Sequence, residues 1–143
     1  MLTVQQVYDL TIKLMNEQDD STGTTTSSEL DTYKNRAIAL INILASDLYD
    51  LSDNTTLTAG SRPVPALLTD FTDCIDLDDR LTVDVLPYGL AGLLLKGENE
   101  ESASYFNTIY YSNQKKYSTN RPTKKEPITN VYGRFSSKVR GEI

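Results

Sequence analysis

Five aspartates, Asp70, Asp73, Asp76, Asp78 and Asp79, crowd the ten residues "DFTDCIDLDD", with Cys74 among them. Carboxylates at that density are the raw material of a calcium site or of paired acid and base catalysis. A calcium loop alternates acidic ligands at its first, third and fifth places, then needs glycine at the sixth and glutamate at the twelfth; this stretch does not meet that spacing. The 143-residue chain contains no histidine. The commonest general base and metal ligand is therefore missing, and Cys74 has no imidazole to make it a nucleophile. The cluster reads as a solvated loop that ends in a helix cap, and Cys74 as a small buried hydrophobe.

The glycines of "GLAGLLLKG" fall inside a helical pattern rather than in a strand-to-helix turn, so their amides are already engaged and cannot cradle a phosphate. Tyr105, Tyr110, Tyr111 and Tyr117 stand near the basic end of the chain and offer rings for stacking on bases. Helical spacing nevertheless sends Tyr110 to the core first. No catalytic residue, cofactor site or metal ligand emerges, and the expectation is a protein that is not an enzyme and carries no cofactor.

The elements that position these residues follow from periodicity. Thr3 and Gln6 have the spacing of a capping box, and Val4, Val7, Leu10, Leu14 and Met15 share a face, which predicts a first helix over residues 4–17. "EQDDSTGTTTSSE" has no period and reads as a solvated loop. Ser27 or Ser28 is placed to cap a second helix, whose Leu30, Tyr33, Ala37, Leu40, Ile41, Leu44, Leu48 and Leu51 recur at three- and four-residue intervals. Residues 52–77, with Gly60, Pro63 and Pro65 and spaced apolar side chains, read as a long loop pinned to the core, with room for a short strand or hairpin.

Asp78 or Asp79 caps the third predicted helix, which runs through "LTVDVLPYGLAGLLLK" to Gly97 and bends at Pro87. Glu98, Glu100 and Glu101 open a fourth, with Ala103, Phe106, Ile109 and Tyr110 on its buried face and fraying expected near Lys116. The expected fold is all-α: a small bundle of about four helices over residues 1–116, with a long pinned loop and an extended basic C-terminal arm over 117–143. Leu40, Leu44, Leu48, Leu90, Leu93, Leu94 and Phe106 should be buried.

Charge divides the chain at nearly the same place. Residues 1–114 carry six basic and 18 acidic side chains, whereas 115–143 carry eight basic and two acidic. A basic arm with the apolar anchors Ile128, Val131, Tyr132 and Phe135 suits a segment that orders on an anionic partner, whether nucleic acid or the acidic body of an identical chain. Gly89 and Gly92, three residues apart beside Ala91, would let another helix approach closely, either within the subunit or between subunits. Candidate partner-binding residues are therefore Pro87, Gly89, Gly92, Ile128, Val131, Tyr132, Gly133, Arg134, Phe135, Lys138 and Arg140. The N-terminus lacks the pattern of a signal peptide, and no apolar run is long enough to span a membrane.

In "LPYGLAG", the turn "GENEESASYF" and the tail motif "EPITNVYG", residues 28–133 resemble small structural proteins of tailed phages and prophages of Gram-positive bacteria, and are similar to the helical head-to-tail connector (adaptor) proteins. The resemblance implies a homo-oligomeric ring, commonly of twelve subunits, at the neck of the virion beneath the portal protein. Its neighbours would be the portal and the next neck or tail protein, with packaged DNA as a possible contact in the channel. The alternatives are a nucleic-acid-binding module that uses the basic arm, or another structural protein of the capsid or tail. The loop over 18–28 and the last ten residues do not map onto that pattern.

Overall fold

The computed structural model describes residues 1–15, 30–52 and 63–120, with side chains through Tyr117. Five α-helices follow one another: α1 (Val4–Leu14), α2 (Asp31–Leu48), α3 (Asp79–Asp84), α4 (Leu86–Leu95) and α5 (Glu100–Asn120). A 3-10 turn, Tyr49–Leu51, extends α2. The expected all-α bundle is what forms, and among the described residues the only β feature is an isolated antiparallel bridge between Thr3 and Cys74.

α4 occupies the centre because it has no polar side. Eight of its ten residues are buried, and α1, α2, α3 and α5 all pack on it. A helix that is apolar all round is stable only when covered on every side. α1 contributes Val4, Val7, Tyr8 and Ile12 to the core, α2 contributes Ala37, Ile41, Leu44 and Leu48, and α5 contributes Ala103, Phe106 and Tyr110. Of the seven core residues expected from sequence, Leu44, Leu48, Leu90, Leu94 and Phe106 are buried, while Leu40 and Leu93 are half-buried at the edge.

The third predicted helix is two helices. Pro87 has no N–H to donate to Val83, so the ladder of α3 stops and the backbone turns at Val85 (φ −115°, ψ −52°). A new helix then starts at Leu86, which places Pro87 in its first turn, where a missing N–H removes no intrahelical bond. Pro87 therefore starts α4 instead of bending a continuous helix.

Several helix ends find partners. In α1, Val4 N–H donates to the Asp73 carbonyl (3.0 Å) and Gln5 N–H to the Phe71 carbonyl (2.9 Å). Gln6 N–H donates to Thr3 Oγ1 (3.3 Å), and the Gln6 side chain accepts from Thr3 N–H (2.9 Å), the capping box expected from the spacing. Gly97, in the left-handed region at φ 95°, closes α4, and Asn99 Oδ1 accepts from Ser102 N–H (3.2 Å) to open α5. Arg36 donates to the Leu94 carbonyl (3.2 Å) at the C-terminal end of α4, where a cation suits the helix dipole.

Other expectations are corrected at the boundaries. α1 ends at Leu14 rather than residue 17, α2 begins at Asp31 with Leu30 as its cap residue, and α5 passes residue 116 to reach Asn120. α5 persists because Asn113 Nδ2 donates to the Asp84 carbonyl (2.9 Å), Tyr117 donates to Asp84 Oδ2 (2.7 Å) and Lys116 pairs with the same carboxylate (3.5 Å). Ser27, Ser28 and the loop over 18–28 lie outside the described residues.

Tyr8 is fully buried, and its hydroxyl has no hydrogen-bond partner among the described residues. Burial pushes its pKa up to about 12, so it stays neutral. Tyr8→Phe should therefore raise the unfolding free energy by about 1 kcal/mol, because it removes an unsatisfied buried group. Leu94→Ala should lower it by about 2–5 kcal/mol, and Leu94→Asp should abolish the helical circular-dichroism signal, because an unpaired carboxylate would be buried. Urea titrations check all three, and an unchanged melting curve for Leu94→Asp would refute the packing described.

Candidate functional site

The seam between α4 and α5 holds the expected close approach. A Cβ added at Gly89 would lie 2.7 Å from the Tyr110 ring and 3.1 Å from Leu44, and one at Gly92 would strike the Asn107 amide and lie 3.4 Å from the Ala103 carbonyl. The helix that these glycines admit is α5 of the same chain. Pro87 is buried at the start of the same helix. The face offered by these three residues is thus already filled from within. Ile128, Val131, Tyr132, Gly133, Arg134, Phe135, Lys138 and Arg140 lie outside the described residues.

Beside the seam runs an open groove of about 510 Å³, lined by Leu93 and Lys96 of α4 and by Glu100, Ser104, Thr108 and Tyr111 of α5, among others. Tyr111 is 60% exposed there, and Leu93 is half-buried. The groove spacing on α5 follows helical periodicity: Glu100, Ser104, Thr108 and Tyr111 form one ridge, while Ala103, Phe106 and Tyr110 turn inward. Further apolar surface lies at Ile43 (62% exposed), Val64 (73%) and Leu67 (78%).

Polar side chains elsewhere serve the architecture. Tyrosine hydroxyls tie distant segments through carboxylates: Tyr110 donates to Asp47 (2.7 Å), Tyr117 to Asp84, Tyr49 to Asp76 (3.2 Å) and Tyr33 to Glu98. Burial, followed by the bond to Asp47, raises the Tyr110 pKa, and the bond to Asp84 does so first for Tyr117. These phenols remain donors well into the alkaline range. The aromatic residues read as possible base-stacking platforms therefore divide, with Tyr110 and Tyr117 engaged inside the bundle and Tyr105 and Tyr111 on its surface.

The pinned loop is held by two devices that sequence periodicity does not reveal. Asn42 of α2 clamps Leu68 in both directions, donating to its carbonyl and accepting from its N–H, each at 2.9 Å. Asp73 gathers Thr69 N–H (2.8 Å), Asp70 N–H (2.9 Å) and the Thr69 hydroxyl (3.2 Å). The resulting turn presents the Phe71 and Asp73 carbonyls to α1. Leu68, Ile75 and Leu77 are buried behind it. Cys74 is exposed rather than buried, because bridging to Thr3 gives Ile75 the inward position and Cys74 the outward one.

The acidic cluster thus builds a turn, and no group of three or more potential metal ligands occurs among the described residues. None of the described helices is long and apolar enough to cross a membrane. No protein family, curated protein or solved structure matches the chain.

Two outcomes follow from this geometry. Gly92→Leu should lower the unfolding free energy by about 1–3 kcal/mol through overpacking against α5, although it gains about 1 kcal/mol in helix propensity; a raised denaturation midpoint would overturn the seam described. Asp73 has its pKa lowered, first by the backbone bond from Thr69 and then by that from Asp70. Its contribution is present above the ordinary aspartate value near about 4 and is lost as pH falls through the lower folded value. The melting-temperature difference between the natural chain and Asp73→Ala should accordingly be widest above about pH 4 and close in stronger acid. A gap that widens on acidification would contradict this role.

Proposed function

We propose that the chain is a non-enzymatic structural protein of a tailed-phage virion, one of a ring of identical subunits at the head-to-tail junction beneath the portal. The observation that carries the reading is the opposition of charge along one chain: a net −12 over residues 1–114 against +6 over 115–143. Such a molecule is complementary to its own copy, and head-to-tail contacts between copies close into rings when the rotation permits. The exposed Ile43, Val64 and Leu67 supply apolar surface of the kind that subunit contacts cover. The described carboxylates and tyrosines that form clusters are engaged in capping, clamping and cross-linking the bundle, which agrees with a role in assembly.

In this reading, charge steers the C-terminal segment to a neighbouring subunit or the portal, and Ile128, Val131, Tyr132 and Phe135 hold it there. Salt should weaken the first contribution and spare the second. Deletion of residues 121–143, which preserves the Tyr117 and Lys116 contacts to Asp84, should leave the bundle folded while phage heads and tails fail to join. Electron microscopy of particles made with the truncated protein provides the test. Normal particle completion would overturn the reading, and loss of salt-sensitive DNA binding as the sole defect would favour a nucleic-acid-binding module.

A further inference from the structure

We propose that the outer face of α5 is a self-pairing surface, on which a second copy of the chain docks antiparallel about a two-fold axis through Thr108. Counted outward from the exposed Thr108, the other exposed positions of residues 100–116 fall three, four, seven and eight residues away on both sides: Tyr105 and Tyr111, Ser104 and Ser112, Glu101 and Lys115, Glu100 and Lys116. Those intervals are helical, so any helix with one solvent face repeats them. The identities select the partner. Ring answers ring, hydroxyl answers hydroxyl, and carboxylate answers ammonium.

In an antiparallel pair, a residue a given distance before the axis faces the residue the same distance after it on the other copy. Glu101 then meets Lys115 of the second copy, and Lys115 meets its Glu101, so every charged contact is attractive. A parallel pair would instead set glutamate against glutamate and lysine against lysine, which repels. At 3.6 residues per turn, Glu101, Ser104, Thr108, Ser112 and Lys115 stay within about 40° of one line along the helix. The hydroxyl residues at the middle of that line are small enough for two helices to come close. Tyr105 and Tyr111 stand about 60° to either side and close over the seam. Both rings are oriented in advance, Tyr105 edge-to-face on Phe106 (5.4 Å between centroids) and Tyr111 on Tyr110 (5.3 Å), which lowers the ordering cost of docking.

The same operation fills the α4–α5 groove. Its Glu100, Ser104 and Asn107 lie on the flank of α5 that also carries Tyr111. A two-fold axis keeps that flank on one side of the seam for both copies. Tyr111 of the second copy therefore arrives level with Tyr105 and enters the groove beside Ser104, and each copy fills the groove of the other. The paired stretch is about 24 Å long and one helix, about 10 Å, wide. It falls short of the roughly 800 Å² per partner that a standard interface buries, so the dimer is weak and concentration-dependent. An isologous contact closes at two copies. It makes no use of Ile43, Val64 or Leu67, the apolar surface assigned above to subunit contacts in a ring.

The contact belongs to the free full-length chain and is measured apart from any virion, so it and the structural-protein reading fail separately. Sedimentation equilibrium up to about 1 mM protein should show monomer and dimer with a Kd between about 1 μM and 1 mM. Thr108→Arg sets two like charges on the axis and should weaken dimerisation at least about 10-fold, with the helical circular-dichroism signal unchanged, since Thr108 is exposed. Register is read by disulfides in a Cys74→Ser background under mild oxidation. Thr108→Cys should cross-link to its own copy, whereas Glu101→Cys and Lys115→Cys should each react slowly alone and at least about 10-fold faster when mixed, because 101 and 115 meet only each other. A monomer at every concentration, which would leave the face to the chain itself or to another partner, would overturn the proposal. So would a dimer that Thr108→Arg leaves intact, or Glu101→Cys that cross-links alone as fast as in the mixture.

Discussion

The separation between α4 and α5 sets the rest of the structure. Because Gly89 and Gly92 carry no side chain, the Tyr110 ring and the Asn107 amide occupy the space that Cβ atoms would otherwise take. This closeness lets Tyr110 lie flush enough to reach Asp47 on α2, so one omission on α4 fixes the relation of three helices. The cost of two glycines in a helix, about 1 kcal/mol each, is offset by burial of an α4 that has no polar face.

Around that centre, long side chains take the place of regular sheet or disulfide connections. The four phenol-to-carboxylate bonds join α2 to α5, α3 to α5, the end of α2 to the loop before α3, and the start of α2 to the turn before α5. Hydrogen bonds to charged acceptors are about twice as strong as neutral ones and demand defined geometry. They therefore fix orientation between helices whose apolar contacts alone would tolerate sliding. An acidic chain uses its abundant carboxylates internally as acceptors while keeping most of their charge toward solvent.

The sequence made the helical class, the capping box at Thr3 and Gln6, and most of the core legible, because three- and four-residue periodicity reports burial directly. It also made the close approach at Gly89 and Gly92 legible, but not which helix would fill it, since a missing side chain says nothing of its neighbour's identity. Pro87 starts a helix where the residue pattern predicts a kink, because its effect depends on where the preceding helix stops, and Val85 settles that only through its backbone angles. The exposure of Cys74 follows from bridge register with Thr3, a contact across the chain that no local pattern encodes. The Asn42 clamp on Leu68 was hidden for the same reason, since an asparagine on a half-polar helix face looks solvated until a loop is placed beside it. The α4–α5 groove depends on the relative rotation of two helices and left no separate mark in the residue pattern.

The carbonyls that close the first turn of α1 belong to Phe71 and Asp73, about 70 residues further along the chain. A ribosome adds about 5–20 residues per second, so several seconds pass between synthesis of this helix and arrival of its acceptors. During that interval the Val4 and Gln5 amides must remain hydrated, and α1 is a helix of only eleven residues, a length that is marginal in water. Vectorial synthesis therefore delays the first helix: α1, made before every other element, lacks these two acceptors in the nascent chain until the acidic turn emerges.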